Sequence, residues 1–463
     1  MKLPLGRVAE FIQGSGSFAH AATAEGYSID TRTLRPGELF FAIKGERLDG
    51  HDYVEAALAA GAVAAVIESS QLARYADPSK LIAVGDSTLA LQHLGAAARR
   101  LWGKKLIAVT GSAGKTTTKE CIAHVLAARF HVLKSLGNLN NHFGLPLQLL
   151  RLEPQYDIAV IEMGMSHPGE ITTLAKIAAP DEGVVTNVGL AHLESFGTQA
   201  GIARAKYELI ESLPAGGHAF LNADDPYVSQ FGRDFHGRVT LFGIEHPADY
   251  RAANVELRGV LGSEFDIVAP GFRERAVMPL VGRHNVLNAL AAVAVASEHG
   301  VSPSDAVARL ASLSAGDKRG EVRHVLGALG VSGAILINDC YNSNPQALDS
   351  MVEALAQTPA KRRIVIAGEM LELGPAAPEL HRECGRKMAL NHVDYVVGVR
   401  GNGELIAEGA ASSGVAAEFV ETPEQAGEWL ARNLREGDAV LLKASRGVGL
   451  ERALAVFEAQ RKV

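Results

Sequence analysis

The chain has 463 residues, 47% of them hydrophobic and 21% charged, with 48 glycines; that composition excludes a disordered polymer or a small stapled scaffold, and at about 150 residues per domain the length predicts about three domains. The balance of 45 basic against 52 acidic residues, a formal charge of −7, leaves no cationic footprint for nucleic acid and no basic anchor for an anionic membrane. Small-molecule partners are therefore expected.

The opening MKLPLGRVAEF lacks the apolar core of a signal peptide, and the longest apolar run, at 56–67, is too short to span a bilayer, so neither export nor membrane insertion is expected. Short β-like runs at 39–43, 64–67 and 81–84 alternate with Ala-rich helical patterns such as 54–62 and predict a small α/β unit. The basic segment RRLWGKK at 99–105 precedes a fully apolar strand, LIAVT (106–110), which sets a boundary at 104.

From there strands at 106–110, 158–164, 184–188 and 219–222 alternate with a helix opened by Lys115 and another at 198–213. Continuous apolar strands separated by helices predict a parallel sheet covered on both faces. A more β-rich passage covers 239–281, followed by a long Ala-rich helix at 284–300. The pattern then restarts, with strands at 334–339, 363–368, 394–399 and 439–445, as a second doubly wound α/β domain. Three cysteines, Cys121, Cys340 and Cys384, lie far apart without CxxC spacing, which argues against a disulfide framework or zinc site and fits a reducing cytoplasm.

The stretch VTGSAGKTTTKE (109–120) is a phosphate-loop pattern with a short span: only Gly111-Ser112-Ala113-Gly114 precede Lys115, where the common form has six residues from the first Gly to the Gly before Lys. A strand, a Gly-rich turn and a helix N-terminus surround a phosphate with backbone N–H groups. Lys115 then reaches the terminal phosphates, the Thr116 hydroxyl ligates Mg²⁺, and Thr117 continues the helix start. Glu162 at the end of one strand and His192 after another fall where ligands bind in an open α/β sheet; each also reads as a loop residue making local hydrogen bonds. Lys206 has Ile202, Leu209 and Ile210 at helical spacing, with Arg204, Glu208 and Glu211 on another face. A lysine aimed at an apolar stripe must find an acidic partner, snorkel out, or be chemically modified.

Together these residues resemble the Mur ligases, ATP-dependent amino-acid ligases of peptidoglycan assembly with the short loop Gly-[Ser/Thr]-x-Gly-Lys-[Thr/Ser]. The resemblance covers nearly the whole chain, through SIDTRTLRPGELFFAIKGERLDGHDY (28–53), NLNNHFGLPLQLL (138–150), IEMGMSHPGEI (161–171), GRHNVLNALAA (282–292), INDCYNSNP (337–345) and GEMLELG (368–374). Asn or His usually stands in the family where this chain has Ala113, so only the backbone cradle carries over there. The Asp-Asn-Pro-Arg motif of the diaminopimelate-adding members is absent.

The resemblance implies three α/β domains: an N-terminal UDP-substrate domain (1–104), a central ATP-binding P-loop domain (105–315), and a C-terminal Rossmann-like domain (316–463) that binds the incoming dipeptide and closes on ATP. It implies ATP and two Mg²⁺ sites held by Thr116, Glu162, His192 and a carbamylated Lys206. Asn285 and Asn288 then contact the adenine side, Asp339 the ribose, and Arg319 reaches the phosphates from between domains. Thr31, Arg32, Asp49 and His51 are candidates for the UDP moiety, and Asn141, Asn342 and Asn344 for the remaining substrate contacts, with Pro345 beside the last. Taken alone, the residues have local readings too: helix cap and polar face for Asn285 and Asn288, strand-end turn for Asp339, surface loop for His51. Glu372 and His381 divide between acceptor contacts and local packing.

The implied reaction joins D-alanyl-D-alanine to UDP-N-acetylmuramoyl-tripeptide through an acyl phosphate, in a cytoplasmic monomer. Another amide ligase of the superfamily, such as a folylpolyglutamate synthase, a plain P-loop ATPase and a non-ligating nucleotide-binding regulator are the alternatives.

Overall fold

The computed structural model describes residues 1–316, 318–325 and 333–460. Its first unit pairs β1 (Leu3–Pro4) with β2 (Thr23–Ala24) beside a parallel sheet of β3 (Gly26–Ser28), β4 (Glu38–Phe41), β5 (Ala64–Glu68) and β6 (Leu81–Val84). Leu39 and Phe41 of β4 face one core and Phe40 the other, so the period of two places apolar residues on both faces. The helix Ser87–Trp102 starts on an Asp86 cap and stops at left-handed Gly103. Near its end Arg99 is buried and donates to the Ala178 and Ala179 carbonyls, which close the helix Glu170–Ala178, and to Asp181. A cation at a helix C-terminus is favourable there and stitches the first unit to the second.

The second unit is a nine-stranded sheet of β7 (Lys105–Thr110), β8 (Val132–Lys134), β9 (Ile158–Glu162), β10 (Glu182–Val185), β11 (His218–Asn222), β12 (Arg238–Gly243), β13 (Tyr250–Leu257), β14 (Ser263–Ala269) and β15 (Phe272–Met278). The order is β15-β14-β13-β12-β11-β10-β7-β9-β8, parallel from β8 through β13 and antiparallel at β14 and β15. In β7, Ile107 and Val109 enter one core, Leu106 and Ala108 the other. The chain leaves β7 for β8 and β9 on one side and returns to β10 on the other, so the end of β7 is a topological switch point where a crevice opens.

The third unit orders β16 (Glu321–Val325), β17 (Ala334–Asp339), β18 (Arg362–Gly368), β19 (Tyr395–Val399), β20 (Ala416–Val420) and β21 (Asp438–Lys443) as β16-β17-β21-β18-β19-β20, parallel except for β16. The strand predicted over 184–188 ends at Val185, because Thr186 and Asn187 bond to the glycine-rich loop instead. Among the described residues no helix is long and apolar enough to cross a membrane.

Candidate active site

The loop after β7 is shaped by two glycines with positive φ, Gly111 (152°) and Gly114 (79°). A Cβ on Gly111 would lie 1.9 Å from Thr186 Oγ1, and one on Gly114 would lie 2.8 Å from Asn288 Oδ1, so neither position admits a side chain. Asn187 fixes the loop by accepting from the Ala113 N–H at 2.9 Å, while the Thr186 hydroxyl donates to the Ala113 carbonyl at 2.6 Å. The helix Lys115–Leu126 starts there with no side-chain cap, which leaves its first N–H groups facing the cavity. Lys115 Nζ folds back onto the Gly111 carbonyl at 2.8 Å. Burial, reinforced by the Arg319 cation, lowers its pKa against the pull of Glu162.

Glu162, at the end of β9, is buried and uses both carboxylate oxygens: Thr116 donates to Oε2 at 2.7 Å and Asn140 to Oε1 at 2.8 Å. A carboxylate and a hydroxyl converge at the phosphate-binding end of the sheet, a hard-oxygen pair suited to Mg²⁺ beside phosphates. Asn141, the substrate candidate in the same loop, accepts from the Gly144 N–H at 2.8 Å and caps the short helix that follows, though it also lines the cavity.

Lys206 lies on the helix Gln199–Glu211 with Ile202, Leu209 and Ile210 buried around it and is itself only 2% exposed. Glu208, expected on the polar face, is buried instead: its carboxylate accepts from Gly169 N and Thr172 N and so caps the helix Glu170–Ala178. Among the described residues Lys206 Nζ makes no hydrogen bond or ion pair. Burial first, then repulsion from Lys115, drives its pKa well below the ordinary lysine value, against attraction from Asp225. The side chain therefore neither snorkels nor pairs with an acid, and burial together with the Lys115 cation disfavours its charged form. His192 adopts a left-handed backbone (φ 61°), and its Nδ1 lies 2.5 Å from Glu372 of the third unit. The Glu372 carboxyl is held below its usual range by that contact, against desolvation.

One cavity of about 860 Å³ joins these groups to the third unit. Ser112 through Thr117, Glu162, His192, Asn285 and Asn288 form its central-domain wall; Arg319, Asp339, Asn342, Asn344 and Glu372 face them. Lys206 and Gly111 stand behind that surface, and Thr31, Arg32, Asp49 and His51 lie away from it. Asn285 and Asn288 are buried, the helix Arg283–Glu298 being capped by Gly282 instead; Asn288 accepts from Thr118 and donates to Asn285, tying that helix to the phosphate-loop helix.

Asp339, at the end of β17, is paired with Lys443 at 2.5 Å, and Lys443 also donates to the Asn342 carbonyl. Asn344 caps the helix Pro345–Ala356 by accepting from Ala347 N at 2.9 Å. His381 has both ring nitrogens engaged, with Met370 N and the Ala377 carbonyl, which settles it as packing beneath the 370–374 loop. The Arg319 guanidinium lies 3.7 Å above the Tyr341 ring.

In the first unit Arg32 forks onto Asp30, and Thr31 stands between them. His51 is buried rather than on the surface: Nε2 accepts from Glu68 N at 3.0 Å and Nδ1 meets Asp49 at 2.6 Å, so its neutral ring carries the proton on Nδ1 and orients Asp49. Sequence reasoning missed Asn140, Asn187, Tyr341, Lys443 and Arg446. Asn140 and Tyr341 stand inside the quoted motifs, and Lys443 ends an apolar strand, a position where charge signals function.

A glycine-rich loop with an uncapped helix N-terminus, a carboxylate and a hydroxyl beside it and a facing Rossmann-like unit define a nucleotide-dependent two-wall site. Residues 23–141 match the Mur ligase family catalytic domain, 109–296 the Mur ligase middle domain and 325–446 the Mur ligase glutamate ligase domain. The chain belongs to the Mur ligase family. Within it, the chain is 35% identical to UDP-N-acetylmuramoyl-tripeptide–D-alanyl-D-alanine ligase of Bacillus subtilis, over 97% of each chain, and 36% identical to the Escherichia coli enzyme of that name, over 86% of each. It superposes on MurF from Acinetobacter baumannii with a TM-score of 0.89 at 29% identity, covering 99% of each chain. MurF of Thermotoga maritima in complex with ADP gives 0.81 at 31% identity, over 94% of this chain and 98% of that one.

Proposed function

We propose that the chain is the ATP-dependent ligase that joins D-alanyl-D-alanine to UDP-N-acetylmuramoyl-tripeptide in peptidoglycan synthesis. The observation that carries this is the single cavity in which the phosphate loop and Glu162 face Arg319, Asp339 and Asn342 of the third unit. In this reading residues 1–104 hold the UDP end, with Thr31, Arg32 and Asp49 as contacts and His51 orienting Asp49; residues 105–315 bind ATP, and residues 316–463 bind the acceptor. The protein works as a monomer in the cytoplasm.

ATP lies with its phosphates on the N–H groups of 112–117, its adenine toward Asn285 and Asn288 and its ribose toward Asp339. Lys115 leaves the Gly111 carbonyl for the terminal phosphates, and Arg319 adds a second cation. The tripeptide carboxylate attacks the γ-phosphorus, ADP leaves, and an acyl phosphate forms. The acceptor amine then attacks the acyl carbon and, after a tetrahedral intermediate, phosphate departs. The chain's contribution is neutralisation and in-line positioning of crowded anions.

Thr116 would hold one Mg²⁺, and Glu162, His192 and carbamylated Lys206 a second; such ions when bound draw charge from phosphate oxygens. The neutral form of the Lys206 amine, which burial favours, would take up CO₂, forming an N–C bond and releasing one proton, and an unpaired buried amine would become an anionic oxygen ligand. The third unit's contact through Glu372 and His192 closes the site and excludes water from the acyl phosphate.

The test is phosphate release from ATP with both substrates present, each then omitted, and the product identified by mass. Release that needs both, with a UDP-muramoyl-pentapeptide product, supports the reading. Release without an amine acceptor would make the chain a plain ATPase.

A further inference from the structure

Three strand ends of the third unit converge on one buried hydroxyl. Ser445 Oγ accepts from Leu371 N at 2.9 Å and donates to the Ser343 carbonyl at 3.2 Å, and Ser445 N donates to the Glu369 carbonyl at 3.2 Å. The loops after β17, β18 and β21 thus form one wall, which carries Leu371, 41% exposed, and the next residue of the last turn, Arg446.

The cations that line the cavity are otherwise accounted for. Lys443 is paired with Asp339, Arg283 with Glu245, Lys115 belongs to the phosphate loop, and Arg319 lies over Tyr341 on the approach to the phosphates. Arg446 lies over the same ring at 5.1 Å and is exposed to the cavity. Among the described residues its guanidinium makes no hydrogen bond or ion pair, and the carboxylate that feels it, Glu451, is engaged by Lys318 at 2.8 Å.

We infer that Arg446 binds the terminal carboxylate of the acceptor dipeptide and thereby sets the enzyme's preference for an acceptor that ends in a free acid. This rests on the ligase reading above. The chemistry of the wall matches the acceptor's: a stacked guanidinium presents a planar fork to a carboxylate, Leu371 offers an apolar surface to short alkyl side chains, and Glu372 stands beside Leu371 on the side of His192, where the amine must arrive. Stacking on Tyr341 holds the guanidinium in place before the acceptor comes, which lowers the entropy lost on binding. Arg446 determines specificity and touches no reacting atom, so its loss acts on acceptor KM more than on kcat.

The experiment compares D-alanyl-D-alanine with D-alanyl-D-alaninamide, which lacks the anion, on the wild-type enzyme and on Arg446→Ala and Arg446→Lys. The wild type should lose about 10- to 100-fold in KM when given the amide, the range for a hydrogen bond to a charged group. Arg446→Ala should show the same rise with the free acid and no further rise with the amide, and Arg446→Lys an intermediate one, with the KM for ATP unchanged. An equal penalty for both acceptors, or a rise confined to ATP, overturns the assignment. A wild type that ligates neither acceptor overturns the ligase reading itself, a different outcome because it shows before any variant is made.

Discussion

Lys206 shows how a single side chain is placed to be modified. Its amine is buried without a partner, and its neutral form is favoured by burial and by Lys115. Replacement with alanine should cost about 10²- to 10³-fold in kcat, the scale of removing one group that stabilises developing charge. Removing dissolved CO₂ should lower the wild-type rate reversibly, and ¹³C-bicarbonate should give a carbamate carbon resonance that the variant lacks. An unchanged rate in CO₂-free buffer would rule out the modification.

At the same scale, legibility from sequence followed local chemistry. The apolar neighbours of Lys206 follow from helical spacing, whereas the capping role of Glu208 depends on a helix that is distant in sequence and had no local signal. Asn141 and Asn344 were substrate candidates through the family resemblance, yet their side-chain oxygens also accept from N–H groups at helix starts. Asn140, the neighbour that holds Glu162, looks identical in the string NLNN, and only the turn of the loop separates the two.

At the level of elements, the phosphate loop works because its glycines admit what no side chain would. Gly111→Ala forces a Cβ onto Thr186 and should destabilise the protein by about 1–3 kcal/mol, read as a lower melting temperature, with nucleotide affinity falling too. The start of the helix Arg283–Glu298 carries a second device. Burial lowers the pKa of His284 to about 4, with Asp339 opposing and Lys443 assisting, and its Nδ1 has no hydrogen-bond partner among the described residues. Because the folded pKa is below the unfolded value near 6.5, the unfolded chain binds more protons between them. Stability is then full above about pH 6.5 and is lost as pH falls toward 4. His284→Asn should flatten that part of the melting-temperature profile; a profile with the same slope would remove His284 as its source.

Strands with continuous apolar runs, such as β7 and β21, were readable because both faces are buried. The short edge strands β8, β16 and β20 were not, because an edge strand needs few apolar residues and its partner supplies the ladder.

At the scale of the whole molecule, the second and third units meet through the His192–Glu372 pair, the Glu194 N–H bonded to the Glu372 carbonyl and Val281 packed into the third unit's core, while the first unit is stitched to the second by Arg99. Glu372→Ala removes one of these contacts and should therefore loosen the third unit rather than the first, giving a modestly larger radius of gyration in small-angle scattering without ligands. It should also raise ATP hydrolysis in the absence of acceptor by exposing the acyl phosphate to water. An unchanged scattering profile would mean that the contact does not hold the units together. Three units were legible because each restarts an apolar strand and helix rhythm. Their mutual contacts were not, since an interdomain pair such as His192 with Glu372 spans 180 residues with no periodicity to announce it.

The junction at Ser445 constrains how such an enzyme can diversify. Because one hydroxyl and its own N–H tie three loops together, an insertion in any of them would drag the other two out of register. New acceptor preferences on this scaffold should therefore arise by exchange of single side chains at fixed loop length, and libraries that vary residues 342, 371 and 446 should retain more folded members than libraries that vary the lengths of those loops.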